Sequence, residues 1–146
     1  IETKVKTNKK KGKKCLIRIH DAGDFYSLDY TLSWFRIMNH FETEPSVSFY
    51  AYTKEVSRFK SLQSNYETVF PNNFTLIYSL GGKQDALIDQ DTDRHSRVFE
   101  NVQDLEKQGY IDTSHDDTLA LTDNPKIGLV YHGTRVYGIT TWKNVK

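Results

Sequence analysis

"LIRIHDAGDFYSLDY", residues 16–30, decides the fold. With Cys15, the run "CLIRIH" is apolar apart from Arg18 and the closing His20, the pattern of a strand buried on both faces of a parallel sheet. His20, Asp21, Gly23 and Asp24 arrive where that strand should stop. Ser27 then offers a side-chain oxygen as an N-cap, and Asp29 suits the positive end of a first helical turn. Leu28, Leu32, Phe35 and Met38 recur at helical spacing, widened by Trp34 and Phe41, until Pro45 closes the segment. The reading is strand, short polar loop, helix.

A second strand and helix follow downstream. "VSFYAYT" (47–53) is β-branched and aromatic, and so predicts a second strand. A second helix follows from Glu55, with Val56, Phe59, Leu62, Tyr66 and Val69 near one face. "PNN" breaks it, and "FTLIYSL" (74–80) predicts a third strand ending in Gly81-Gly82. The order β-α-β-α-β with short joints implies right-handed crossovers onto a parallel sheet, an α/β fold built as an open sheet or a partial barrel.

The remainder is less regular. Residues 83–96 read as a loop holding Asp85, Asp89, Asp91 and Asp93. The spacing of the last three resembles the start of a calcium loop, without the glycine or the closing glutamate that such a loop needs. Val98, Val102 and Leu105 predict a third helix stopped by Gly109. "IGLVYH-GT-RVYGITTW" predicts a C-terminal β-hairpin turning at Gly133-Thr134. There is no internal repeat.

Charge divides the chain. Residues 1–14 hold seven Lys and one Glu, a balance of +6, so the net +1 leaves −5 for the remaining 132 residues. The expected organisation is a flexible basic tail, 1–14, on a single α/β domain, 15–146. Such a tail suits nucleic acid or a host protein as partner, although the absence of arginine and aromatics favours a merely solvated segment. No apolar run approaches the ~20 residues needed to span a bilayer. Cys15 is the only cysteine, so an internal disulfide is excluded and a reducing, cytoplasmic setting is the expectation. The only methionine is Met38 and the chain starts at Ile1, as a processed, excised or tag-cleaved product would.

In parallel α/β sheets, ligands bind beyond the carboxyl ends of the strands, because neighbouring strands point their last residues into one crevice. Here that edge gathers His20, Asp21 and Asp24 from the first strand, Tyr52, Thr53 and Lys54 from the second, and Ser79, Gly81 and Gly82 from the third. His20 would be the acid/base and Asp24 its orienting carboxylate. Asp21, Tyr52, Lys54, Ser79 and the glycine pair would hold the ligand. Each has a plainer alternative: a core histidine, an aspartate closing a turn, a solvated lysine, glycines serving the backbone alone. His115 and Asp117 from "DTSHDD" could join His20 and Asp24 around a divalent metal. No nucleophile elbow, phosphate loop, dinucleotide fingerprint or zinc-protease motif occurs.

"RIHDAGDFYSLDYTLSWFRI", "VSFYAYTK" and "PNNFTLIYSLGGK" together resemble a family of phages, plasmids and related mobile elements called gene-product-88-like. In it a strand ending H-x-x-G-D precedes a helix, then a strand ending "YTK", then an "NF" strand; the likeness covers residues 16–100. The resemblance implies a mobile-element protein of uncharacterised function, in the host cytoplasm if phage-encoded. Family members are also distantly similar to radical S-adenosylmethionine enzymes, whose partial barrel follows a cysteine-rich segment. This sequence has none of those cysteines, and Lys83 stands where the radical enzymes' glycine motif ends in Glu. An iron–sulfur cluster needs three or four thiolates, so none is expected from this chain alone.

Three functions are consistent with these residues. One is a non-catalytic binding or accessory module with a polar site at the strand ends. Another is the C-terminal part of a radical-enzyme-like protein with His20 and Asp24 in the site. The third is a metal-assisted hydrolase. The missing cofactor ligands favour the first. Ligand and oligomeric state are not legible in the sequence.

Overall fold

Residues 1–14 hold a helix, α1 (Glu2–Lys10), where composition predicts a solvated tail. Glu2 stands in its first turn and Lys9 and Lys10 in its last, each on the side the helix dipole favours. Val5 packs into the hydrophobic core, and the Lys9 ammonium meets the Glu44 carboxylate at 3.0 Å. One apolar residue in an otherwise polar helix is too weak a periodic signal to read from sequence, which is why tertiary packing decides the matter here. The computed structural model describes residues 1–20, 22–65 and 70–131. The chain forms two units, Ile1–Ser96 and Arg97–Lys146.

The first unit follows the predicted order. β1 (Cys15–Arg18) leads through the polar loop to α2 (Leu28–His40). Ser27 caps that helix as expected, its Oγ accepting the Tyr30 N–H at 3.1 Å. β2 (Val47–Thr53) is followed by α3 (Val56–Ser64), and β3 (Phe74–Ser79) comes next. The predicted continuation of α3 through Tyr66 and Val69 lies outside the described residues. β1 pairs with β2 and β2 with β3, all parallel, in registers such as Ile17 opposite Phe49 and Tyr52 opposite Ile77. Phe25, Phe35, Phe49, Phe59 and Phe74 fill the space between sheet and helices. Phe25 meets Phe59 edge-on at 5.0 Å, the geometry aromatic quadrupoles prefer.

β4 (His95–Phe99) is a strand that the sequence reading missed. Its first two residues pair parallel with Tyr78 and Ser79 of β3. His95 and Ser96 are polar yet buried, so no apolar run announces the strand. Val98 belongs to it rather than to the following helix. That helix, α4 (Val102–Lys107), is capped by Asn101, whose side chain accepts the Asp104 N–H at 2.9 Å.

In the second unit, β5 (Ile111–Asp112) pairs parallel with β6 (Lys126–Val130). β6 is the first strand of the expected hairpin; the Gly133-Thr134 turn and the return strand lie outside the described residues. Phe99, Leu105, Tyr110 and Val130 make the core here. Gly128 lets α4 approach β6: a methyl group at its position would stand 2.5 Å from Leu105 Cδ1. Among the described residues, no helix is long and apolar enough to cross a membrane.

Candidate functional site

Parallel pairing brings the ends of β1, β2 and β3 to one edge of the first unit. A cleft of about 320 Å³ opens there, lined by Arg18, His20, Ala22, Gly23, Asp24, Tyr52, Thr53, Lys54 and Ser79. Of the residues predicted for the site, His20, Asp24, Tyr52, Lys54 and Ser79 therefore converge. Asp21 lies outside the described residues.

Asp24 is the clamp of the cleft. Its Oδ1 accepts the Phe25 N–H at 2.7 Å and the Thr53 hydroxyl at 2.6 Å, and its Oδ2 accepts the Lys54 N–H at 2.8 Å. Thr53 is buried at the last position of β2, and its Oγ1 in turn accepts the Glu55 N–H at 3.0 Å. The carboxylate thus ties the β1 loop to the β2–α3 turn. Arg58 adds a second tie by donating to the Phe25 carbonyl. An aspartate so engaged orients backbone, and its negative charge is spread over three donors.

His20 is half-buried and sits in the left-handed region at φ +64, uncommon for a residue with a Cβ. Its Nε2 lies 2.7 Å from the Tyr30 hydroxyl, and its ring stands edge-on to Phe25 at 4.6 Å. Nδ1 is buried and finds no partner among the described residues. Burial lowers the imidazole pKa below its ordinary 6.5, with the Asp24 charge opposing, so the ring is neutral at pH 7.

The glycine pair serves an internal anion. The Gly81 N–H donates to the Asp85 carboxylate at 2.9 Å, and the Gly82 N–H donates to it at 2.9 Å. Backbone amides expected to meet a ligand are thus already bonded to a carboxylate of the chain itself. The pair has another use: a Cβ on Gly82 would lie 3.1–3.2 Å from the Lys54 stem. The bare backbone leaves room for that stem, while Lys54 Nζ reaches the Gly81 carbonyl at 3.5 Å.

Arg18 and Tyr30 were not singled out in the sequence. Arg18 ends β1, lines the cleft and stacks its guanidinium over Tyr52 at 5.0 Å. It interrupts an apolar run two residues before His20, which was the available signal. Tyr30 lies in the first turn of a helix that a β-loop-α unit aims back at the strand end.

His115 and Asp117 belong to the second unit. The segment around them is a capped loop: Asp112 accepts the Ser114 N–H, and Asp116 accepts the Thr118 N–H and hydroxyl at 3.0 and 2.6 Å. Those Thr118 bonds hold the Asp116 pKa below its ordinary value. Asp89 is similarly engaged by its own loop, accepting the Asp91 N–H at 3.0 Å. Among the described residues, no group of three or more His, Cys, Asp or Glu gathers to hold a metal ion. Cys15 is buried at the start of β1, the end remote from the cleft. That single thiol does not fit an iron–sulfur cluster.

A family model described as Gene product 88 matches residues 1–139. Comparison with curated proteins and with solved structures gives no match.

Proposed function

The chain belongs to the gene product 88 family, and from that premise we propose that it is a phage-type accessory module binding a small oxyanion at its strand ends. One observation carries the reading: Lys54 and the polar groups of Gly23, Thr53 and Ser79 line one space whose described carboxylate, Asp24, is already bound by three donors. With that carboxylate satisfied, the Lys54 ammonium favours an anionic group there. Lys54 is aimed by the glycine pair beneath it and Arg18 by Tyr52 beside it. Gly23 and the Thr53 and Ser79 hydroxyls supply a polar wall.

Nothing in this arrangement requires a reaction. The carboxylate that sequence reasoning assigned to catalysis is occupied in joining β1 to β2. Acid/base work by His20 would need a proton path from a buried Nδ1. Binding is the simpler consequence of the geometry. Calorimetric titration with sulfate at low ionic strength tests it: saturable binding that weakens in both Arg18→Gln and Lys54→Gln is expected. Heat that neither substitution changes contradicts the reading.

A further inference from the structure

Composition gives residues 1–14 the look of a solvated tail, yet the segment is folded to its end. Helix α1 closes in a Schellman turn: the Gly12 N–H donates to the Lys9 carbonyl at 3.1 Å and the Lys13 N–H to the Asn8 carbonyl at 2.8 Å. Gly12 supplies the left-handed residue that this turn needs, at φ +66. The Asn8 side-chain amide donates to the Lys14 carbonyl at 3.2 Å, and the Cys15 N–H to the Ser46 carbonyl at 2.7 Å. The turn therefore runs directly into β1.

Four lysines sit on this fixed turn. Lys10, Lys11, Lys13 and Lys14 are exposed and make no ion pair among the described residues. Lys13 and Lys14 share a shallow space with Glu44, but that carboxylate is held by Lys9 at 3.0 Å and by the Ser46 hydroxyl at 3.1 Å. Glu2, the one acid among residues 1–14, stands at the opposite end of α1 and meets His40 at 3.2 Å. The fold thus holds together four like charges that a random coil would let spread, and a closely spaced polyanion relieves their repulsion.

We infer that the Lys10–Lys14 turn is a docking surface for the sugar–phosphate backbone of duplex nucleic acid, bound without regard to sequence. A duplex carries one phosphate charge per ~1.7 Å of axis, dense enough to meet four neighbouring lysines at once. A single strand gains by stacking its bases, and residues 1–14 hold no aromatic ring to receive them. An anionic bilayer takes a helix with a free apolar face, whereas the one apolar residue of α1, Val5, is buried in the core. Protein partners are gripped through aromatic and arginine anchors, which the segment also lacks. The pre-formed backbone lowers the ordering cost that a flexible tail would meet on binding. The turn precedes β1 and the strand-end cleft follows it, so the two surfaces are separate.

The test is fluorescence anisotropy of the full chain with a short, labelled, mixed-sequence duplex over a range of salt. Four neutralised phosphates give log affinity against log salt a slope of about −3.6, a fall of about 150-fold between ~50 and ~200 mM. Lys13→Gln with Lys14→Gln should bring the slope to about −1.8. Lys4→Gln with Lys6→Gln removes the same charge from the body of α1 and should leave the slope at about −3.6. All four residues are exposed, so both double variants should melt with the parent. Sulfate-induced shifts at Lys54 should be the same in the Lys13, Lys14 variant, so that cleft and turn can fail separately. Equal slopes in the two double variants would overturn the turn as the docking surface. So would a single strand bound as tightly as the duplex, or phosphatidylserine vesicles bound more tightly than either.

Discussion

Replacing Asp24 by alanine should loosen the joint between β1 and β2 more than any other change at the cleft. Three donors lose their acceptor: the Phe25 N–H, the Thr53 hydroxyl and the Lys54 N–H. A hydrogen bond to a charged group contributes about 1.5–3 kcal/mol net. The three do not add, because the exposed Lys54 amide can take water in place of the carboxylate and the Phe25 N–H shares Oδ1 with the Thr53 hydroxyl. The Thr53 hydroxyl is buried, so its loss dominates. Asp24→Ala should therefore destabilise the first unit by about 2–3 kcal/mol, the cost of one strong buried contact and part of two others. Asp24→Asn keeps one oxygen for Phe25 and Thr53 but turns an amide N–H toward the Lys54 N–H, and should cost about 1–2 kcal/mol. Urea unfolding followed by amide exchange at Lys54 and Phe25 would measure both. Thr53→Val closes a double-mutant cycle: the pair should be less costly than the sum of the single changes by about 1 kcal/mol. An Asp24→Ala protein with an unchanged urea midpoint, or a cycle that adds exactly in energy, refutes the clamp.

The remaining predictions concern one residue each. His20 has a folded-state pKa below its unfolded 6.5, so the unfolded chain takes up the proton first as pH falls. The stability associated with neutral His20 is present above pH 6.5 and is lost as pH drops through the lowered value; thermal melts of His20→Gln should lose less on acidification than those of the parent. Gly128→Ala forces a methyl group against the buried Leu105 and should destabilise the second unit by about 1–3 kcal/mol, read as faster amide exchange in α4 and β6. Asp85→Ala frees the Gly81 and Gly82 amides, and sulfate should then shift both resonances, which it leaves alone in the parent.

What was legible in the sequence is what local pattern controls. β1, the Ser27 cap, α2 and β2 followed from apolar spacing and one hydroxyl, and the parallel order followed from their alternation. The cleft's place at the strand ends followed from that order. Three things were hidden because they depend on partners distant in sequence. α1 is held by Val5 and the Lys9–Glu44 pair, neither visible as a periodic signal. β4 is held by pairing with β3, although it begins on two polar residues. Asp24 read as a reacting group because an aspartate at a strand end advertises its charge and not its acceptors; Thr53 and Lys54, its partners, lie about thirty residues on. The glycine pair misled in the same way, since Asp85 fills its amides.

The most direct test of the strand-end site is a residue-resolved titration of the full chain with sulfate, following backbone amide shifts at low ionic strength. Saturable shifts concentrated at Arg18, Gly23, Thr53, Lys54 and Ser79 are expected, with Lys54→Gln abolishing them. Shifts confined to α1, or unchanged by Lys54→Gln, would contradict it.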